Sequence, residues 1–241
     1  MNQWVTQLPK VVSVWQEDID LPEPLGQFAA RFSHMPGTVM LLSGADLDAS
    51  QYHILGILPW LSIKAFGSKI SVTSREKTWT LDTDPFACLQ TLLDHCHLKD
   101  AQNFSPMAAG LMGYFAYDIK DLIEDLPQTC VSTGLPDICV YAPSMILVQN
   151  TISKNTTLFI PILENNASNV PPKVYINRLK QKFWEDVRQT DTDTRFCIDA
   201  RGLVSGFEKS EYLAAVKKII QYLKAGDIYQ ANLSQRFETG F

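Results

Sequence analysis

The chain has 241 residues, of which 46% are hydrophobic and 20% charged, with a formal net charge of −5. Such values describe an ordinary globular chain with room for one large domain or two modest ones, and they exclude intrinsic disorder. The mild acidity, with no Lys/Arg run longer than Lys217-Lys218, argues against a nucleic-acid partner.

The five cysteines, Cys88, Cys96, Cys130, Cys139 and Cys197, are scattered and form no CxxC pair. They read as reduced thiols of a cytoplasmic protein. The opening MNQWVTQLPKVVSVW lacks the basic and apolar regions of a secretory signal, and no stretch approaches the ~20 apolar residues that span a bilayer. No membrane association is expected.

In chain order, PEPLGQFAARFSH predicts a short helix, PGTVMLLSG a buried strand and KISVTSREKTWTLD a hairpin. DPFACLQTLLDHC predicts a helix with Asp84 as N-cap and Pro85 at its first position. AAGLMGYFAYD is rich in small residues, and its Tyr114, Phe115 and Tyr117 read as core aromatics. ICVYAPSMILVQN and TTLFIPIL predict two strands joined around Ser153 to Asn155. The polar stretch ENNASNVPP then leads into a helix, KVYINRLKQKFWEDVRQ, and a polar loop, TDTDTR.

Beyond Phe207, Tyr212, Val216, Ile219, Ile220 and Leu223 share one helical face, and Gly226 is the expected C′ residue. GDIYQANLSQRF follows and predicts a strand. One side carries Tyr229, Ala231, Leu233 and Phe237; the other carries Gln230, Asn232, Ser234 and Arg236. Burying the five helix side chains contributes roughly 2 kcal/mol each, whereas ordering about thirty residues costs ~1–2 kcal/mol apiece. This helix and strand are not expected to stand alone.

Several patterns that suggest chemistry have plainer readings. Gly110 and Gly113 lack the strand, Lys and helix of a phosphate loop. His95-Cys96-His97 lies at a helix end with no second ligand cluster, so no metal site is expected. Ser43 and Ser50 suit turns or strand ends.

AGDIYQANLSQRF resembles the entry motif of the chorismate-utilising enzymes, GDIYQVNLSQRF in its common form. Asn232 resembles the aminodeoxychorismate synthase component I branch more than the anthranilate synthase component I branch. SHMPGTVMLLSG with SQYHILG resembles the family's N-terminal strand motif, and GYFAYDIKDLIEDLP resembles its GYDxxRxxExLP block. Here Asp121 stands for the block's Arg and Ala116 for its second Gly. Gln51 replaces an Arg common in the N-terminal motif.

The resemblance covers residues 10 to 241 but only the N-terminal half of a family member. It implies an α+β fold of mainly antiparallel, sandwich-like sheets with flanking helices, ending in the first helix and strand of a chorismate-binding domain. The expected parts are an N-terminal domain over 1–165, a helical connector over 166–206 and the start of the chorismate-binding domain over 207–241.

The implied activity is amination of chorismate to 4-amino-4-deoxychorismate for folate synthesis. Mg2+ is its cofactor, and a glutamine amidotransferase is the partner that supplies ammonia. The family's catalytic Lys and metal-binding Glu residues belong to its C-terminal half, which the resemblance puts downstream of Phe241. No catalytic residue is therefore expected here, and the chain alone is expected to be inactive. The resemblance marks Gly226, Tyr229, Gln230, Asn232, Ser234 and Arg236 as motif residues. It also implies a tryptophan pocket, at Ser43, Ala49, Ser50, Gln51 and Tyr52. Two alternatives stay open: anthranilate synthesis, and a non-catalytic domain that binds an amino acid or a partner.

Overall fold

The structure is a computed structural model describing residues 4–44, 50–97, 105, 107–125, 134–164, 171–189 and 202–239. Its elements are β1 (Val11–Ile19), α1 (Leu25–Ala30), β2 (Val39–Leu41), β3 (Tyr52–Phe66), β4 (Lys69–Ser74), β5 (Lys77–Asp82), α2 (Pro85–His95), β6 (Met112–Phe115), β7 (Ile138–Asn150), β8 (Thr156–Leu163), α3 (Pro172–Gln189), β9 (Val204–Ser205), α4 (Lys209–Ala225) and β10 (Phe237–Glu238). They fall into two units, 1–192 and 193–241.

The first unit is organised by its two longest strands. β3 and β7 pair antiparallel from Tyr52↔Asn150 to Ala65↔Ile138, at the centre of a sheet ordered β1-β8-β7-β3-β4-β5. Midway, Pro59 faces Pro143, and the register shifts between Pro59 and Leu61. Proline donates nothing to the ladder, and Leu58 takes a left-handed φ of 52°. The bulge re-aims the strand there.

On either side of this irregularity the long strands meet different partners. β2 pairs with β3 at Ile54 to Gly56 and β8 with β7 at Ile146 to Gln149; at the other end β4 pairs with β3 and β6 with β7. The expected α+β class with mainly antiparallel strands is what forms, as one curled eight-stranded sheet.

Each limb carries its own core. In one, Leu55, Ile57, Met145, Leu147, Leu158 and Ile160 are covered by Leu25, Phe28 and Phe32 around α1 and by Ile176 and Phe183 of α3. Phe183 is fully buried, stacks on Phe32 at 5.4 Å, and meets Trp184 edge-on at 4.9 Å. The helix expected as a connector thus helps build this core. In the other limb, Leu61, Ile63, Ile70, Val72, Ile138 and Val140 pack under Trp4, Leu8 and the Cys88, Leu89 and Leu92 face of α2. Asp84 caps α2 as expected: its carboxylate accepts from the N–H groups of Phe86 (3.1 Å) and Ala87 (3.3 Å), with Pro85 at the first position.

Other expectations are corrected. The buried strand read in PGTVMLLSG shrinks to β2, which is only half-buried because it pairs with β3 alone at an edge. Tyr114, Phe115 and Tyr117 are not core: they are 41%, 55% and 85% exposed, on the edge strand β6 and the 3-10 turn after it. Residues 165–170 of ENNASNVPP and all of TDTDTR lie outside the described residues. No helix among the described residues is long and apolar enough to cross a membrane.

In the second unit, α4 is well defined locally. At its start Glu208 N–H donates to the Glu211 carboxylate at 3.1 Å, and Phe207 meets Tyr212 edge-on at 6.0 Å, a hydrophobic staple. At its end Gly226 takes φ 82°. Its N–H bonds Leu223 O and that of Asp227 bonds Tyr222 O, closing a Schellman motif. Yet α4 has no buried residue.

The predicted strand over GDIYQANLSQRF does not form; only Phe237 and Glu238 pair, with Ser205 and Val204. A strand exists only against a partner's ladder, and β9 offers two residues. Phe241, the residue beyond which the catalytic groups are expected, lies outside the described residues, which stop at Thr239.

Candidate functional site

Three distant segments of the first unit enclose a cavity of about 680 Å³: the β1–α1 junction with Asp20, Glu23 and Gln27, the pair Leu42 and His53, and the β7–β8 hairpin with Gln149, Lys154 and Thr156. Its wall is mixed. Glu23 is engaged by Arg31 at 2.5 Å, and buried Gln149 donates to Thr156 Oγ1 at 3.0 Å. Lys154 holds the hairpin turn in a left-handed conformation, φ 63°. The neighbouring Ser153 to Asn155 turn is where the sequence places it.

The described residues that the family resemblance marks for a tryptophan pocket lie beside this cavity. Ser43 follows the lining residue Leu42, and its N–H donates to Nδ1 of the lining residue His53 at 3.2 Å. His53, when neutral, therefore carries its proton on Nε2. Ser43 Oγ donates to Tyr52 O at 2.6 Å, and Ser50 Oγ to Gly44 O at 2.7 Å. Thr151 clamps the same loop, its N–H donating to Gln51 O (2.9 Å) and its hydroxyl to Ser50 O (2.7 Å). These hydrogen bonds bring Ser43, Ser50, Gln51 and Tyr52 together, although none of them is itself a lining residue. Ala49 lies outside the described residues.

The wall chemistry suits a zwitterion. The Asp20 and Glu23 carboxylates can accept from an ammonium and the Lys154 ammonium can donate to a carboxylate, whereas the Gln149 amide already donates to Thr156 Oγ1 and Lys154 O. Sequence reasoning missed Asp20, His53, Gln149 and Lys154. His53 carried the one usable signal, through its position next to Tyr52; the others meet only through the tertiary fold.

The chorismate-motif residues are not gathered into a site in the second unit. Gly226 ends α4, while Tyr229 is 93% exposed and Gln230, Asn232 and Ser234 are exposed. Arg236 pairs with Glu238 at 2.8 Å, both side chains mostly in solvent. The polar face expected from period-two alternation is therefore absent, because the strand that would present it does not form. Among the described residues no group of three His, Cys, Asp or Glu could hold a metal ion. The residues described do not fit an Mg2+ site.

Comparison with known proteins agrees with the sequence motifs. The family described as chorismate binding enzyme matches residues 52–241. Aminodeoxychorismate synthase component 1 of Escherichia coli (strain K12) is 27% identical over 240 residues, covering 98% of this chain and 49% of that protein. Anthranilate synthase component 1 of Cereibacter sphaeroides is 25% identical over 236 residues, covering 92% and 47%.

In fold, the chain is similar to the crystal structure of anthranilate synthase component I from Streptococcus pneumoniae TIGR4. The TM-score is 0.57 at 20% identity, over 80% of this chain and 43% of that one. The chain spans about half the length of the curated relatives it matches. With the family match running from β3 to its last residue, this chain belongs to the chorismate binding enzyme family.

Proposed function

We propose that this chain corresponds to the N-terminal portion of an aminodeoxychorismate synthase component I. That enzyme aminates chorismate to 4-amino-4-deoxychorismate, on the way to para-aminobenzoate and folate, with ammonia from a glutamine amidotransferase component. The observation that carries the reading is AGDIYQANLSQRF with Asn232, supported by the likeness of nearly the whole chain to the Escherichia coli component 1.

The reaction needs a general acid for the departing hydroxyl, a positioned nucleophile, and cationic or metal stabilisation of a dianionic substrate. On this reading those groups, with Mg2+, belong to residues downstream of Phe241, and the part played by these 241 residues is scaffolding. The free thiols Cys88, Cys96 and Cys139 suit a reducing cytoplasm.

The test is product identity. A full-length protein carrying this chain, given chorismate, ammonia and Mg2+, is expected to form aminodeoxychorismate; formation of anthranilate instead overturns the reading in favour of the other branch. The 241-residue chain alone is expected to give no amination, and product above background from it places catalytic residues within these 241.

The cavity beside Ser43 supports a second reading for the same region, an amino-acid pocket for tryptophan. In the full-length protein Ser43→Ala removes the hydroxyl that ties the loop to Tyr52 and is expected to weaken tryptophan binding by about tenfold. Calorimetry showing wild-type affinity in that variant sinks the assignment.

A further inference from the structure

β3 occupies one edge of β7 along its whole length, so the other edge must serve β8 and β6 in turn. β8 pairs with Ile146 to Gln149 and β6 with Ile138 to Tyr141, which leaves 142–145 without a strand on that edge. Proline enforces the gap. Pro143 and, on β8, Pro161 have no N–H to donate, and β8 beyond Phe159 stays paired only with β1, through contacts such as Val14↔Pro161. The sheet forks there.

In the fork lies a second cavity of about 310 Å³, formed by Pro143 and Ala142, Pro161, Val14, Trp60, the end of α2 at Leu93 and Cys96, and the small-residue run Ala108-Ala109-Gly110. The small side chains keep the space open, since longer ones at Ala109 or Ala142 would occupy it. The volume is at the lower end of small-molecule sites and far beyond the voids of a close-packed interior. Its wall differs in kind from that of the cavity beside Ser43: among the described residues no Asp, Glu, Lys or Arg lines it, and the titratable lining groups there are Cys96 and His97. Burial pushes the Cys96 thiol up to about 11, so it stays neutral at physiological pH.

We infer that the fork cavity is a binding site for a small, uncharged, planar apolar molecule, separate from any amino-acid pocket beside Ser43. A zwitterion would lose its hydration with no carboxylate, ammonium or guanidinium among the described lining residues to pair with, whereas a neutral ring trades water for the Trp60, Leu93 and proline surfaces. Bound there, it bridges the two arms that the prolines separate, β1–β8 on one side and β7 on the other.

Indole serves as the neutral probe and tryptophan as its charged counterpart. Calorimetry is expected to show saturable one-to-one indole binding to the 241-residue chain, and indole to slow alkylation of Cys96 as followed by peptide mass spectrometry. Ala109→Leu is expected to weaken indole binding at least tenfold while leaving the melting temperature unchanged or raised. Cys96→Met fills the same space from the α2 side and decides the matter if Ala109→Leu does not fold. Absence of saturable indole binding, equal affinity in wild type and the filled variant, or indole displaced by tryptophan at equal concentration each overturns the proposal.

Discussion

The two units form their helices by the same local rules and differ in what those helices bury. α2 in the first unit has a carboxylate cap and a proline start, and it lays Cys88, Leu89 and Leu92 into a core. α4 in the second has a staple and a Schellman close, and it buries nothing. End signals are worth about 1 kcal/mol each, and they set where a helix starts and stops. Whether it contributes to a folded unit depends on apolar area taken from water. The comparison teaches that α4 is specified locally, with none of its residues buried among the described residues.

The largest effect should come from truncating the first unit's aromatic core. Phe183 is fully buried and touches Phe28, Phe32 and Trp184. Phe183→Ala removes a ring from a site fixed on both sides by helix and sheet, and is expected to cost about 4 kcal/mol. Urea denaturation followed by near-ultraviolet circular dichroism measures it. A loss under about 1 kcal/mol would mean that Phe183 adds little to this core.

Next comes a backbone test of the same unit. Gly113 on β6 has φ 153°, and a Cβ there would lie 2.0 Å from Cys139 O, a main-chain atom that cannot swing away. Gly113→Ala is expected to cost about 3 kcal/mol by strain and displacement of β6. Gly226→Ala, with no heavy atom within 4 Å of its new Cβ, should cost only the left-handed penalty of about 1 kcal/mol. Equal effects in the two variants would erase the contrast between a packed unit and an open one.

A smaller effect is expected from pH. Burial pushes the Cys88 thiol from 9.0 up to about 11, and the side chain is only 2% exposed. The folded state holds this proton more tightly than the unfolded state, so the thiol's contribution is fully present below pH 9 and is lost as pH rises through about 11. The loss is on the order of 2 kcal/mol. Cys88→Ala should flatten the fall in stability between pH 9 and 11, even though it lowers stability at pH 7. An unchanged slope would show that the thiol titrates as it does in the unfolded chain.

Legibility followed the range of the interactions. Asp84-Pro85, the Gly226 close and the β4–β5 and β7–β8 hairpins are settled within a few residues of sequence, and the structure has them where the pattern puts them. What failed depends on partners. Period-two alternation in GDIYQANLSQRF describes how a strand would divide its faces, but only a neighbouring ladder makes one, and β9 supplies two residues. Tyr114, Phe115 and Tyr117 have core composition, yet they fall on an edge strand and the turn after it, where one side faces water. Beside the candidate site, Ser43, Ser50, Gln51 and Tyr52 are marked by a family motif, and none of them lines the cavity. Asp20, Gln149 and Lys154 come from segments more than a hundred residues apart at the extremes, and no local pattern links them.

The smallest expected effect belongs to α4 and defines the other end of the comparison. Ile220 is 44% exposed, in a helix with no buried residue, so Ile220→Ala removes side-chain atoms that are largely in contact with water rather than locked in a core. Its helix propensity changes by a few tenths of a kcal/mol in alanine's favour, which offsets what little burial is lost. The net change should stay within about 0.5 kcal/mol, roughly an order of magnitude below Phe183→Ala. Hydrogen exchange on a monomeric sample gives the same contrast without mutation. Amides of β3, laddered on both edges, should exchange only by large-scale opening, whereas those from Tyr229 to Arg236, outside any strand, should exchange nearly as fast as in an unfolded chain. Strong protection across Tyr229 to Arg236, or a loss above about 2 kcal/mol in Ile220→Ala, would require a packing partner for α4, and a dimer in solution would be the first place to look for it.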